Sequence, residues 1–364
     1  MSAATPSPTA VPPVRHLVVR LPGPLGDAVM ATPALRALRR ALPSTRITWA
    51  AGATVHAALE GLPWRDDVLA LPAGMLAGAR GPWRAARALR RLGADATLLM
   101  PNSFSSALAA RLARIPVRVG TGLQRRGPLL THALPVERDA RGRLAPRPMR
   151  AHYLDLVAPF GAVDDGLPTE LRVLPFDAER AARCLAAVPP GTSLVGVSPG
   201  AGFGPSKRWP AALLGEALAR LRAEAGVLPL LLGGPGEEAL LREVAQAAGL
   251  PLVTTADDPP GLGTLKGLLA RCRLLLTADA GPRHVAEALG VPTVTWVGPT
   301  DPRWGAGGGG EVLRVEGLDC LACHARECPL GHHRCMRDLA PARVVEAARR
   351  LLSAAPAAPP VTGR

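Results

Sequence analysis

At 364 residues the chain is too long for one compact core and suits two domains of ordinary size. Hydrophobic residues make up 48% and aromatic ones only 3%, so the interior must be Leu, Val and Ala, as in helix-rich α/β cores. The net charge of +14, carried almost entirely by arginine, points to an acidic neighbour such as nucleic acid or an anionic membrane leaflet, and the absence of any run of 18 apolar residues excludes a spanning helix.

Residues 1–13 are Pro, Ala and Thr without a charged start or apolar centre, which reads as a disordered tail rather than a secretory signal. The six cysteines are then expected to be reduced and the protein cytoplasmic. His16 to Leu21 is a short β-rich run, and Pro22 to Asp27 is its turn. Ala28 to Leu42 has helical spacing, with Val29, Leu35 and Leu38 on one face, basic residues on the other and a kink expected at Pro33. Strands follow at Arg46 to Ala51, Val68 to Leu71, Thr97 to Pro101 and Val117 to Gly120, with helices between, so the first domain, 14–175, is a parallel α/β sheet.

Arg118 to Arg150 breaks that alternation with eight arginines against two acids, Glu137 and Asp139. Two readings stand: a solvated loop, or a mobile basic flap that grips a phosphorylated or carboxylated acceptor through Arg125, Arg126, Arg147 and Arg150. After a helix from Met149 to Phe160, Gly161 to Thr192 is rich in Pro, Gly and acids and should contain the passage between domains. The second domain, 176–340, alternates again: strands at Leu194 to Val197, Val227 to Leu232 and Leu252 to Thr254, helices at Pro210 to Ala225, Glu237 to Ala248 and Leu265 to Arg271. A closing amphipathic helix occupies 341–353, and 354–364 is a tail.

Between that last helix and the close lies the most informative stretch, Leu274 to Pro302. A strand at Leu274 to Thr277 runs into the loop Ala278 to Pro282. A helix follows, with Pro282 in its first turn and His284 to Leu289 continuing it, then a strand at Thr293 to Val297 and a loop to Pro302. Strand ends and a helix start so close together form one edge of a parallel sheet, where free amides favour a diphosphate, and the stretch reads as a nucleotide pocket.

Four further constellations carry chemistry. Asp27 is either a helix N-cap or a carboxylate at the edge of the first sheet, placed to take a proton from an acceptor hydroxyl. In Ser198 to Pro210, SPGAGFGPSKRWP, small residues after a strand let backbone approach a ligand, and Lys207 can neutralise a diphosphate without a metal; GxxxxGK[ST] is absent. LLGGPGEE, Leu231 to Glu238, places Glu237 at a helix start where an acid suits ribose hydroxyls, and no GxGxxG supports NAD. Cys320, Cys323, Cys328 and Cys335, spaced C-x2-C-x4-C-x6-C, are either a metal or redox-labile cluster or a structural loop, outside the strand-end loops and without a catalytic role.

Taken in order, Gly26-Asp27, PGAGFGPSKRWP, the Gly-Gly loop before Glu237, TADAGPRHVAEALGVPTVTWVGPTDP and CLACHARECPLGHHRCM resemble the ADP-heptose:lipopolysaccharide heptosyltransferases of glycosyltransferase family 9. The cysteine segment and TGLQRRGPLLTH look most like the heptosyltransferase II branch. The resemblance implies a GT-B architecture, two Rossmann-like domains facing a central cleft, the first binding acceptor and the second ADP-heptose, with inverting transfer and no metal or other cofactor. It makes Asp27 the base and Lys207 the diphosphate ligand. Gly202, Phe203, Glu237, Asp279, Ala280, Gly281, Pro282 and His284 complete the donor site, Asp279 on sugar hydroxyls. Ala280 stands where the family has Ser or Thr, and Arg283 where Met is commoner; losing one hydroxyl contact costs about 1 kcal/mol and leaves activity in place. The implied acceptor is an inner-core lipopolysaccharide precursor at the cytoplasmic face of the inner membrane. Two rival readings are a nucleotide-sugar epimerase on the same architecture, and a nucleic-acid-binding protein, against which the few aromatics and lack of a binding module argue.

Overall fold

A computed structural model of the chain describes residues 10–139, 142 and 144–354. Most of both expected tails, and Arg141 and Arg143 of the basic segment, lie outside the described residues. Two compact units divide between Glu170 and Leu171.

The first unit runs β1 (His16–Arg20), α1 (Leu25–Met30), α2 (Thr32–Ala41), β2 (Arg46–Ala51), α3 (Ala53–Ala58), β3 (Asp67–Ala70), α4 (Gly81–Arg90), β4 (Ala96–Leu99), α5 (Phe104–Leu112), β5 (Val117–Thr121), β6 (His132–Leu134) and α6 (Met149–Val157). Its strands are all parallel, in the order β3-β2-β1-β4-β5-β6, with Val18 opposite both Thr48 and Thr97. β1 is apolar on both faces because helices cover both, and Leu17, Val18 and Val19 are fully buried. Each such side chain contributes about 1.5–3 kcal/mol.

Three features of this unit correct or add to the expectation. The helix expected from Ala28 to Leu42 is two helices, broken at Ala31, and Pro33 lies in the first turn of α2, where its missing N–H is not needed. The basic side of α2 is not uniformly solvated, since Arg36 is buried and forked onto Asp165. Nor does the basic segment leave the sheet: Arg118 sits in β5, its Nε donating to the Leu129 carbonyl at 2.7 Å, and β6 adds an edge strand.

The second unit runs α7 (Pro175–Cys184), β7 (Leu194–Ser198), α8 (Ala211–Ala225), β8 (Leu228–Leu231), α9 (Glu238–Ala248), β9 (Val253–Thr254), α10 (Leu262–Leu269), β10 (Cys272–Ala278), α11 (Gly281–Ala288), β11 (Thr293–Trp296), β12 (Gly310–Leu313), α12 (Arg334–Arg337) and α13 (Pro341–Ala354). The parallel sheet has the order β12-β11-β10-β7-β8-β9. Numbered from its own first strand, each sheet therefore reads 3-2-1-4-5-6, the dinucleotide-fold order whose ligand crevice opens where the winding reverses. α7 occupies part of the stretch expected as a passage and packs on α10. The closing helix α13 lies against α8, and its Val344, Val345 and Leu352 join the core formed by Val195, Leu274, Leu276 and Trp296.

Candidate donor and base sites

The second sheet reverses its winding between β7 and β10, which pair with Thr277 opposite Ser198. Whatever follows those two strands must emerge side by side. After β7 the chain turns through Gly204, at φ 153°, where a Cβ would run into the Arg326 carbonyl, and reaches Lys207 at the end of a 3-10 turn. After β10 comes Asp279. The Lys207 ammonium donates to the Asp279 carboxylate at 2.9 Å and to its main-chain carbonyl at 2.6 Å, and lies 5.1 Å from the centre of the Phe203 ring. The Trp296 indole N–H, from β11, fixes the Lys207 carbonyl at 3.1 Å.

Asp279 also accepts from the Thr300 hydroxyl at 2.6 Å and from Arg283 at 3.2 Å. Burial alone would raise its pKa, but the Lys207 charge, the Thr300 and Lys207 hydrogen bonds and the Arg283 charge outweigh burial and hold it at about 2. Arg283 is the residue that sequence reasoning missed. Buried to 3% exposure, it also donates to Glu287 at 2.9 Å and to the Gly305 carbonyl at 3.0 Å. Glu287 stays in its ionised form because His284 and Arg283 overcome the effect of burial. The signal was visible as an Arg-x3-Glu pair on one helix face.

α11 starts at Gly281, one residue before the expected Pro282, and its N-cap Ala280 supplies no side-chain cap. Pro282 has no N–H and the Arg283 amide donates to the Ala280 carbonyl at 3.1 Å, so what this start offers an anion beside Lys207 is chiefly the positive end of the helix dipole. Glu237 is the N-cap residue of α9, and its carboxylate accepts the Gly234 amide at 3.0 Å. It lies directly over Gly200, where a Cβ would collide with it, so the loops after β7 and β8 meet there. Gly202 and Phe203 belong to the same β7 loop, their carbonyls held by Arg326.

That arginine belongs to the cysteine segment, which was expected to lie apart from these loops and instead clamps them. Ser206 donates to the Ala325 carbonyl at 2.7 Å, its amide to Arg326 at 3.1 Å, and its carbonyl lies 2.8 Å from His333. The Ala322 and His324 amides hold the carbonyls of Gly298 and Pro299 in the loop after β11. Burial, then the neighbouring Cys320, Cys323 and Cys328, push the Cys335 thiol up to about 11. Among the described residues no group of three or more His, Cys, Asp or Glu side chains is arranged to hold a metal ion.

In the first unit Asp27 is the third residue of α1, and the N-cap position is Pro24, so the N-cap reading of Asp27 is excluded. Tyr153, the chain's single tyrosine, is buried on α6 and donates its hydroxyl to Asp27; burial and the Asp27 charge keep that hydroxyl protonated. Arg20 ends β1, and its hydrogen bonds go to the Leu21 and Ala50 carbonyls. Of the four expected acceptor arginines, Arg126 is a correction: it is fully buried, with its guanidinium committed to Thr121, Pro101 and Asn102, which makes it a strut of the β5 edge. Arg125 is exposed, Arg147 pairs with Asp155 at 2.8 Å and Arg150 with Asp164 at 2.7 Å.

Two parallel six-stranded Rossmann-like units, one with a cationic cradle at its switch point, define a glycosyltransferase of the GT-B class. The family model of glycosyltransferase family 9 (heptosyltransferase) matches residues 82–333, and the chain belongs to that family. It is 29% identical to lipopolysaccharide heptosyltransferase 2 of Salmonella typhimurium over 91% of this chain and 97% of that protein. Over a shorter stretch it is 32% identical to lipooligosaccharide heptosyltransferase 2 of Campylobacter jejuni, covering 44% of this chain and 52% of that one. The solved structure of E. coli ADP-heptose lps heptosyltransferase II is similar with a TM-score of 0.73 and 26% identity, over 93% of this chain and 99% of that one.

Proposed function

We propose that this chain moves heptose from ADP-heptose to an inner-core lipopolysaccharide acceptor with inversion at the anomeric carbon. Asp27, oriented by the Tyr153 hydroxyl, takes the proton of an acceptor hydroxyl as that oxygen attacks the anomeric carbon from the face opposite ADP. The anomeric carbon–oxygen bond to the diphosphate breaks, and the charge arriving on the diphosphate is met by Lys207 and the positive end of α11. Asp279 holds Lys207 and Arg283 in place and keeps an acceptor position for a sugar hydroxyl; Glu237 serves the nucleotide sugar. Arg125, Arg147 and Arg150 attract the acidic acceptor, and the reaction takes place at the cytoplasmic face of the inner membrane, without nucleic acid. No helix among the described residues is long and apolar enough to cross a membrane.

The observation that carries this reading is the Lys207–Asp279–Arg283 network beside an uncapped helix start, together with the heptosyltransferase names of the relatives. The test is to incubate the purified chain with ADP-heptose and truncated lipopolysaccharide cores and weigh the products. A gain of one heptose on the acceptor supports it. ADP release without acceptor, or no product from any core, contradicts it.

A further inference from the structure

Four of the six tryptophans are core residues, Trp304 is half-buried, and Trp83 is the exposed one. Trp49, Trp209 and Trp296 are at most 1% exposed and Trp64 only 7%, whereas Trp83, in the first turn of α4, is 63% exposed. The inner side of α4 is Pro82, Ala85, Ala86 and Leu89. Its outer side is Arg80, Trp83, Arg84, Arg87, Arg90 and Arg91, all exposed. Positions 80, 84, 87 and 91 share one face of a helix, so four guanidinium groups form a stripe with the indole beside its beginning. The hydrogen bonds of Arg84 and Arg90 go to main-chain carbonyls of Ala77 and Leu112, which leaves their charge unneutralised.

The Arg90 bond also ties α4 to α5, the helix packed beside it. α5 begins with Phe104, 45% exposed, and carries the exposed Arg111, with Arg114 exposed in the turn that follows it. From Val68 to Val136 there are ten arginines and a single acid, Asp95, which caps the Arg15 and His16 amides at the start of β1. Because α4 follows β3 and α5 follows β4, both aromatic residues lie toward the carboxyl edge of the sheet, the edge that also carries Asp27.

We propose that the outer face of α4 and α5 docks on an anionic phospholipid bilayer, with Trp83 and Phe104 at headgroup depth and the arginine stripe on the lipid phosphates. An aromatic at each helix start with a basic stripe behind it is the pattern of an interfacial helix. A single-strand nucleic-acid platform instead stacks successive bases on several aromatics along one groove. This surface deepens the reading of a membrane-borne acceptor, and the two fail separately, since vesicle binding needs no sugar donor.

The experiment is co-sedimentation of the full chain with phosphatidylcholine vesicles, with and without phosphatidylglycerol, alongside transfer to a soluble truncated core. We expect salt-sensitive binding only when phosphatidylglycerol is present. Arg84→Glu/Arg87→Glu/Arg91→Glu should reduce it on the order of 100-fold, from a loss of roughly fivefold per basic residue. Trp83→Ala should weaken it further, while transfer to the soluble core is unchanged. The proposal is overturned if the wild-type chain ignores anionic vesicles, if the triple variant binds as well as wild type, or if single-stranded RNA binds this face more tightly than the vesicles do.

Discussion

Lys207 and Asp279, 72 residues apart in the chain, meet at 2.9 Å, and the strand order alone brings them together. They follow β7 and β10, the pair on either side of the point where the second sheet reverses direction. The same carboxylate also holds Arg283, so one half-buried acid fixes two cations beside the start of α11.

If Lys207 neutralises the departing diphosphate, Lys207→Ala lowers kcat/KM by about 10²–10³-fold, as loss of one preorganised charge-stabilising donor does elsewhere. ADP affinity measured by calorimetry falls with it. An unchanged rate would remove Lys207 from the phosphate site.

Asp279 gives the second unit a pH signature. Its folded pKa is about 2, below the ordinary 3.8, so the unfolded chain takes up the proton first. Stability from this group is therefore complete above about pH 4, and the contribution, on the order of 2 kcal/mol, is lost as pH falls toward 2. Thermal melting over that window should steepen for the wild type and flatten for Asp279→Asn.

Arg36 and Asp165 make the corresponding structural pair in the first unit. Both side chains are under 10% exposed, with Nε to Oδ2 at 2.7 Å and Nη2 to Oδ1 at 2.9 Å. Arg36→Ala leaves a buried carboxylate with only the exposed Arg40 and the Leu167 amide as partners and should cost about 3 kcal/mol in urea unfolding. Arg36→Lys should recover only part, because a lysine cannot reproduce the fork.

The alternation of apolar runs with helical spacing was enough to read ten of the twelve strands found among the described residues, and both parallel sheets, from the sequence. The two it missed are edge strands: β6 has three residues inside an arginine-rich stretch, and β12 follows a run of glycines, so neither has an apolar period to detect. Asp27, Lys207, Glu237 and Asp279 were legible as candidates because each lies in the loop or first helical turn that follows a strand. Arg283 was not, because an arginine on a helix resembles a solvated one until the fold buries it among Asp279, Glu287 and Gly305. Arg126 misled in the opposite direction, while the cysteine segment, like Arg283, was closer to the site than it looked. Its bonds to Ser206, Gly298 and Pro299 are long-range contacts that spacing cannot reveal.

The central claim is that Asp27 removes the acceptor proton while the second unit holds ADP. The direct measurement is single-turnover transfer by Asp27→Asn, with ADP-heptose affinity determined on the same preparation. The account predicts transfer lowered by about 10²–10⁴-fold with affinity unchanged; transfer at the wild-type rate would contradict it.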